Sequence, residues 1–320
     1  FFWLKVIFVG FLQVLIKNPR YPQILILEYG VDRPGDIKYL LDIARPEVGV
    51  ITAMGDIPVH VEFFDGPEGV LREKSKLVSQ LPATGFAILN ADEPEILEIK
   101  KQTRARVITF GFSENADMKI DNLVNHFENN QAVLTFKLTY NGSFLPVRIE
   151  NILGRAPAYA SAIAAIAGLL SGMNLVKIAD ALANYKLPAG RFKIVKGVKD
   201  TVIIDDTYNS SPVALEEALG TLSDLKAKRK IAVLGDMLEI GKYTLEAHEN
   251  IGRLAAKCTD ILITVGMRAK FIAESAITSG LDKNSVFVFE NLYEAGKFLQ
   301  EKMEKGDLIL IKGSQGVRME

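Results

Sequence analysis

The most restrictive feature of this 320-residue chain is an alternation: four or five predominantly apolar residues, then a longer stretch with helical spacing, repeated along the molecule. Ile24–Leu27, Val48–Thr52, Phe86–Leu89 and Val107–Phe110 are such runs in the first half. Val202–Asp205, Ile231–Leu234, Ile261–Val265, Val286–Phe289 and Leu308–Ile311 follow in the second. Such runs, of which Ile24–Leu27 is wholly apolar, read as buried strands, which belong to parallel sheets with helical, right-handed crossovers. The chain is therefore expected to be α/β. Helical spacing is expected over 36–44, 67–80, 156–172 and 175–185. The texture changes over 118–150, where partial alternation around the turn signal Asn141-Gly142 predicts a small antiparallel patch. Leu187-Pro188-Ala189-Gly190 breaks the pattern and marks a domain boundary. The expected organisation is an apolar N-terminal segment (1–22), a central parallel-sheet domain (23–187) and a C-terminal, Rossmann-like doubly wound domain (188–320).

Composition narrows the function classes. Hydrophobic residues make up 48% and charged residues 24%, the balance of a globular protein. Lys and Arg total 38 against 39 Asp and Glu, so the basic excess of a nucleic-acid binder is missing. The lone Cys258 excludes an internal disulfide and fits a cytoplasmic location. No apolar stretch reaches the ~18–20 residues of a membrane span, and no Cys/His spacing suggests zinc. The apolar start, Phe1 to Ile16, reads as a helix docking on the protein body. The alternative is a peripheral membrane contact through residues 1–16, with Lys17 and Arg20 beside the headgroups. The absent initiator Met suggests a fragment whose beginning is lost.

In open parallel sheets, ligands bind outside the carboxyl ends of the strands. Glu28 follows the first run, where a carboxylate could bind magnesium beside phosphates; the bland alternative is a solvated strand end. His60 lies in the loop after the second run, and a neutral imidazole there can bind a metal or orient a phosphate. Lys74, in Arg72-Glu73-Lys74-Ser75-Lys76, reads from pattern alone as part of a solvated helix face. Asp205-Asp206 precede Ser211-Pro212, an N-cap followed by proline in the first helical turn. That helix start suits an anionic group, and the paired aspartates could hold ribose hydroxyls or a cation. Polar and glycine residues also follow Leu234 and Ile311. Together these strand ends suggest a cleft between two domains.

Taken in order, Leu27 to Gly35, the His60 loop, Arg72-Glu73-Lys74, Gly190-Arg191, Asp205 to Pro212, Leu234 to Gly241 and Lys312-Gly313-Ser314 resemble the Mur ligase family over nearly the whole chain. Asp-Asp-Thr-Tyr-Asn-Ser-Ser-Pro and Leu-Gly-Asp-Met-Leu-Glu-Ile-Gly are the most specific segments. They favour the branch that adds D-alanyl-D-alanine to a UDP-N-acetylmuramoyl-tripeptide in peptidoglycan synthesis. The resemblance implies an ATPase-like central domain, incomplete here, and an ATP-dependent ligase that activates a carboxylate as an acyl phosphate. ATP and Mg2+ are the implied cofactors, and a cytoplasmic monomer is expected. It further implies that Glu28, His60 and Lys74 serve a metal site, with His60 and Lys74 catalytic and Lys74 carbamylated into a carboxylate-like ligand. Arg191 would contact ATP, Asp206 its ribose, and Asn209, Ser210 and Lys312 the substrate.

Two departures stand against the resemblance. The family's UDP-binding domain and Gly-Lys-Thr phosphate loop would precede Phe1. Gly235 to Lys242 is no substitute, because it has one residue too many between its glycines and Tyr243 where Ser or Thr belongs. The His and Asn that contact adenine in the family are also missing from Gly154 to Ser161. The fragment is therefore expected to be inactive alone. The alternatives are a non-catalytic nucleotide- or dipeptide-binding module and another Mur-type amino acid ligase. An oxidoreductase ranks lower, since no run is followed by G-x-G-x-x-G.

Overall fold

The structure, a computed structural model, describes residues 2–16, 22–128 and 131–320. It divides into two compact units, one ending at Gly30 and the other Val31–Glu320. In the first, α1 (Phe2–Leu15) leaves the apolar side chains of Phe2, Trp3, Leu4, Ile7, Phe8 and Phe11 exposed. Among the described residues, no helix is long and apolar enough to cross a membrane. Lys17 and Arg20, read above as headgroup contacts, lie outside the described residues.

Ile24–Leu27 is not the buried strand its composition predicts. It is irregular and exposed, with Ile26 at 88%. A buried strand must have its backbone N–H and C=O groups paired, and no described strand pairs with this run. Glu28 is consequently exposed in an irregular segment rather than held at a strand end.

The second unit contains two six-stranded sheets. The first is built from α2 (Asp36–Ile43), β1 (Val48–Ile51), α3 (Pro67–Ser79), β2 (Phe86–Asn90), α4 (Pro94–Glu98), β3 (Arg106–Gly111), β4 (Met118–Glu128), β5 (Gln131–Tyr140), β6 (Ser143–Glu150), α5 (Ala156–Leu170) and α6 (Leu175–Ala183). Its strand order is β1-β2-β3-β4-β5-β6. The antiparallel patch is therefore not separate: β4 pairs parallel with β3 through Phe110↔Met118 and extends the same sheet. Asp117 ties this junction by accepting Thr109 N–H and Oγ1–H at 2.7 Å each. Asn141 and Gly142 both take positive φ (47° and 75°), as a tight hairpin between β5 and β6 requires. The alanine face of α5 (Ala158, Ala162, Ala165) lets Phe110, Leu134 and Phe136 pack closely beneath it.

The second sheet comes from β7 (Lys193–Lys196), β8 (Val202–Asp206), α7 (Pro212–Asp224), β9 (Arg229–Gly235), α8 (Thr244–Cys258), β10 (Ile261–Val265), α9 (Lys270–Thr278), β11 (Val286–Phe289), α10 (Leu292–Lys302) and β12 (Asp307–Lys312). Its order is β11-β10-β9-β12-β8-β7, parallel except for β7 against β8. All five predicted strands are present. The short edge strand β7 has no such signal, being only Lys193-Ile194-Val195-Lys196 and largely exposed.

The loop after β1 meets the second sheet directly. Ile57 and Val61 share a buried cluster with Leu215, Met237 and Ile240. Gly55 sits against α7 with φ +67°, and a Cβ there would come within 2.8 Å of Val213 Cβ. Gly55→Ala is expected to destabilise by about 2 kcal/mol in urea unfolding, from the left-handed backbone plus the clash. Val213→Ala in the same chain should recover only the small part of the clash contributed by the Cγ1 methyl, because the Cβ contact remains.

Candidate functional site

The carboxyl ends of β8, β9 and β12 meet at one place because β12 lies between β8 and β9. Lys312, the last residue of β12, is only 2% exposed. A buried ammonium must find acceptors. Its Nζ donates to Asp206 Oδ2 at 2.6 Å and to the Asn209 carbonyl at 2.8 Å. Burial pulls the Lys312 ammonium below its ordinary range, and the Asp206 charge opposes that pull. Asp206 Oδ1 meanwhile accepts the Phe192 N–H at 3.1 Å. Both Asp206 oxygens are thus engaged, but each retains a lone pair that could accept a ribose hydroxyl. Asp205 turns to its own loop, accepting the Thr207 hydroxyl at 2.7 Å.

Ser211 caps α7, accepting the Ala214 N–H at 3.3 Å, with Pro212 following as predicted. The Arg191 guanidinium lies 4.0 Å above the Tyr208 ring, leaving its planar donors at the rim. Asn209 lines a cleft of about 400 Å³ together with Leu238, Glu239, Ser314, Gln315, Gly316 and Arg318. Ser210 is buried beneath it. Its Oγ has no hydrogen-bond partner, and its carbonyl accepts from Ser314 Oγ at 3.2 Å. Of the three predicted substrate residues, Asn209 faces the cleft, while Ser210 and Lys312 are buried away from its lining.

His60 adopts φ +66° at the start of a short 3-10 turn. Its Nε2 lies 3.4 Å from Asp32 Oδ1 and its Nδ1 lies 3.0 Å from Glu239 Oε2, the latter off the line of a hydrogen bond. One imidazole thus bridges a carboxylate before α2 and another after β9. Lys74 is partly buried on α3 rather than on a solvated face. Burial lowers its pKa, opposed by the nearby charge of Glu93. Glu93 in turn accepts Met54 N–H at 2.9 Å and Gly55 N–H at 3.0 Å, holding the loop after β1.

Sequence reasoning passed over Asp32, Glu93, Glu239 and Arg318. Glu93 follows the carboxyl end of β2, so the strand-end rule reaches it. Asp32 and Glu239 lie in the segments that carry the resemblance. Arg318 has no local signal. The region without an adenine assignment holds a polar-aromatic cluster. The Arg155 guanidinium stacks 4.0 Å over Phe112, and Tyr159 Oη donates to Asp92 Oδ2 at 2.6 Å.

A divalent ion fits this arrangement poorly. Among the described residues no group of three or more His, Cys, Asp or Glu side chains is arranged to hold a metal ion. Glu28 belongs to the unit ending at Gly30, and His60 is already flanked by two carboxylates. Hard cations take several oxygen ligands, so no chemical step below is routed through a metal.

Loops at the strand ends of the second sheet line a polar cleft, and the loop after β1 of the first sheet reaches its wall at Glu239, the arrangement of a ligand-binding α/β protein. Comparison with known proteins makes the class specific. Residues 9–168 match the Mur ligase middle domain, and residues 190–315 match the Mur ligase, glutamate ligase domain. The chain belongs to the Mur ligase family. It is 28% identical to the UDP-N-acetylmuramoyl-tripeptide--D-alanyl-D-alanine ligase of Bacillus subtilis over 98% of this chain and 66% of that one. The same-named Escherichia coli ligase is 28% identical over 97% of this chain and 66% of that one. The crystal structure of MurF ligase from Thermotoga maritima in complex with ADP shares the fold. Its TM-score is 0.81 at 24% identity, covering 96% of this chain and 67% of that one. The chain thus spans about two thirds of the length of these relatives.

Removing the Asp206 charge should be costly, because it strands the Lys312 ammonium in the interior. Asp206→Asn is expected to lose about 3–5 kcal/mol in denaturant unfolding. Adding Lys312→Met should restore part of that loss, since a buried pair replaced on both sides leaves no orphaned charge.

Proposed function

We propose that this chain supplies the acceptor-binding and carboxylate-coupling part of an ATP-dependent ligase. The reaction would join D-alanyl-D-alanine to a UDP-N-acetylmuramoyl-tripeptide in the cytoplasmic phase of peptidoglycan synthesis. The observation that carries this reading is the cleft lined by Asn209, Glu239 and Ser314 at the ends of β8, β9 and β12. It lies in the segment that matches the family's glutamate ligase domain, and its wall residue Glu239 also meets the His60 loop.

The chemistry follows from the substrates. A carboxylate is a poor electrophile, and transfer of a phosphoryl group from ATP converts it to an acyl phosphate with a good leaving group. The dipeptide amine then attacks the carbonyl carbon, phosphate departs with the bonding electrons, and the amine loses a proton as the amide forms. In this reading Asn209 and Ser314 orient the dipeptide in the cleft. Arg191 and the free lone pairs of Asp206 meet the nucleotide, and Arg155 over Phe112 offers a stacking surface for its base. Lys74 serves as a carbamate: its neutral amine, favoured by burial, adds to carbon dioxide and becomes an anion. Magnesium is the dication the family reading implies; the described residues form no site for it, and no step of the coupling is assigned to it.

Calorimetric titration of the chain with D-alanyl-D-alanine tests the cleft. Saturable binding is expected, weakened roughly tenfold by Asn209→Ala through loss of one or two hydrogen bonds. Binding of neither this dipeptide nor ATP would sink the ligase reading, whereas dipeptide binding without nucleotide binding would favour a non-catalytic module. For Lys74, a carbamate resonance is expected in 13C NMR with labelled bicarbonate, absent from Lys74→Arg. An unchanged spectrum in that variant would remove Lys74 from the proposal.

A further inference from the structure

His248 has no part in the reading above, yet it is completely buried beneath the cleft wall. It lies on α8 at 0% exposure. Its Nε2 receives the Met237 N–H at 3.1 Å, and its Nδ1 lies 2.6 Å from the Thr244 carbonyl oxygen. A backbone N–H can only donate and a carbonyl can only accept. The ring must therefore carry its proton on Nδ1 and keep Nε2 as an acceptor, which fixes one neutral tautomer. An imidazolium would point a second N–H at the Met237 N–H.

The turn held by this bond forms part of the site. Met237 is buried, and its neighbour Leu238 donates its N–H to Ser314 Oγ at 3.0 Å. The Ser314 N–H returns to the Asp236 carbonyl at 3.0 Å. Two successive N–H groups are thus fixed by two side chains from different elements. The chain then delivers Glu239 at φ +63°, a conformation that a non-glycine residue keeps only when its surroundings enforce it. Leu238 and Glu239 line the cleft, and Glu239 reaches His60.

We propose that His248 is a positioning residue: by accepting the Met237 N–H at Nε2, it holds the Asp236–Ile240 turn so that Glu239 faces both the cleft and His60. It touches no ligand itself. The charged groups facing it are Asp236 at the end of β9, which favours its protonation, and Arg268 before α9, which opposes it. Burial, acting with Arg268, outweighs the Thr244 hydrogen bond and Asp236 and lowers its pKa. The sign for stability follows. The unfolded histidine takes up a proton below about pH 6.5 while the folded one resists, so this residue's support for folding is lost as pH falls below that value.

Only the effect on ligand binding rests on the ligase reading, and the test keeps the two apart. Imidazole 15N NMR of the wild-type chain should show Nδ1 protonated and Nε2 bare at neutral pH. An Nε2–H tautomer or an imidazolium there would overturn the proposal. Amide exchange should then compare His248→Phe, which keeps bulk without an acceptor, with His248→Gln, whose carbonyl oxygen can accept. The phenylalanine variant should exchange the Met237 and Leu238 amides roughly tenfold faster, with the β10 amides unchanged and the His60 ring resonances shifted. The glutamine variant should recover most of the protection. Equal acceleration at β10, or no change at Met237, would refute the assignment. If the phenylalanine variant does not fold, the wild-type tautomer and the glutamine variant still decide. D-Alanyl-D-alanine affinity should fall several-fold in His248→Phe and recover in His248→Gln. If the wild type binds no dipeptide, the ligase reading fails, while the exchange result still settles His248.

Discussion

A lysine that ends a central strand and is shut away from water leaves the chain little freedom around it. Lys312 must place its ammonium against acceptors, and those within reach are the Asp206 carboxylate at the end of β8 and the Asn209 carbonyl just beyond it. Satisfying that one charge draws the ends of β12 and β8 together and fixes the backbone at Asn209. It also orients Asp206 so that its other oxygen takes the Phe192 N–H, next to Arg191. The rim on which Arg191 stacks over Tyr208 is thereby set by a group that does not itself face the cleft. The pair is weak grounds for net stability, but it specifies geometry, since any other arrangement leaves a buried charge unmatched.

The site joins two halves with different mechanical characters. On the first-sheet side, positions are set by backbone capture: Glu93 holds the N–H groups of Met54 and Gly55, and the loop runs on to His60. On the second-sheet side, they are set by side chains reaching between elements, Ser314 to Leu238 and His248 to Met237. Where the halves meet, the contact is partly apolar, through Ile57, Val61 and Met237, and partly polar, through His60 and Glu239. Apolar burial favours the joined arrangement without regard to direction. The imidazole between two carboxylates adds a polar contact to that apolar seam.

Much of this was readable in advance, for identifiable reasons. The five predicted runs of the second half became strands; β9, β10 and β12 are buried on both faces, the condition their composition signals, while β8 and β11 are only partly buried. Asn141-Gly142 formed its hairpin turn because positive φ is tolerated there. Ile24–Leu27 has the same composition and no described partner strand. Apolar character records what a segment would bury, not whether a neighbour is there to bury it, and Glu28 lost its expected perch for that reason. Lys74 looked like a solvated face because Arg72, Glu73 and Lys76 surround it in sequence. Burial on α3 is a property of what packs against that helix.

The amino-acid sequence by itself determined the α/β class, the positions of most strands and helices, and the strand-end segments that carry the chemistry. These follow from local periodicity and local backbone preference. Only the tertiary structure decided that the antiparallel strands extend the first sheet, that Lys312 turns inward while Asn209 turns out, and that Asp32, His60 and Glu239 meet. It also decided which nitrogen of His248 carries the proton. Each of these depends on residues far apart in the chain competing for the same hydrogen bonds and the same buried space, and local pattern carries no record of that competition.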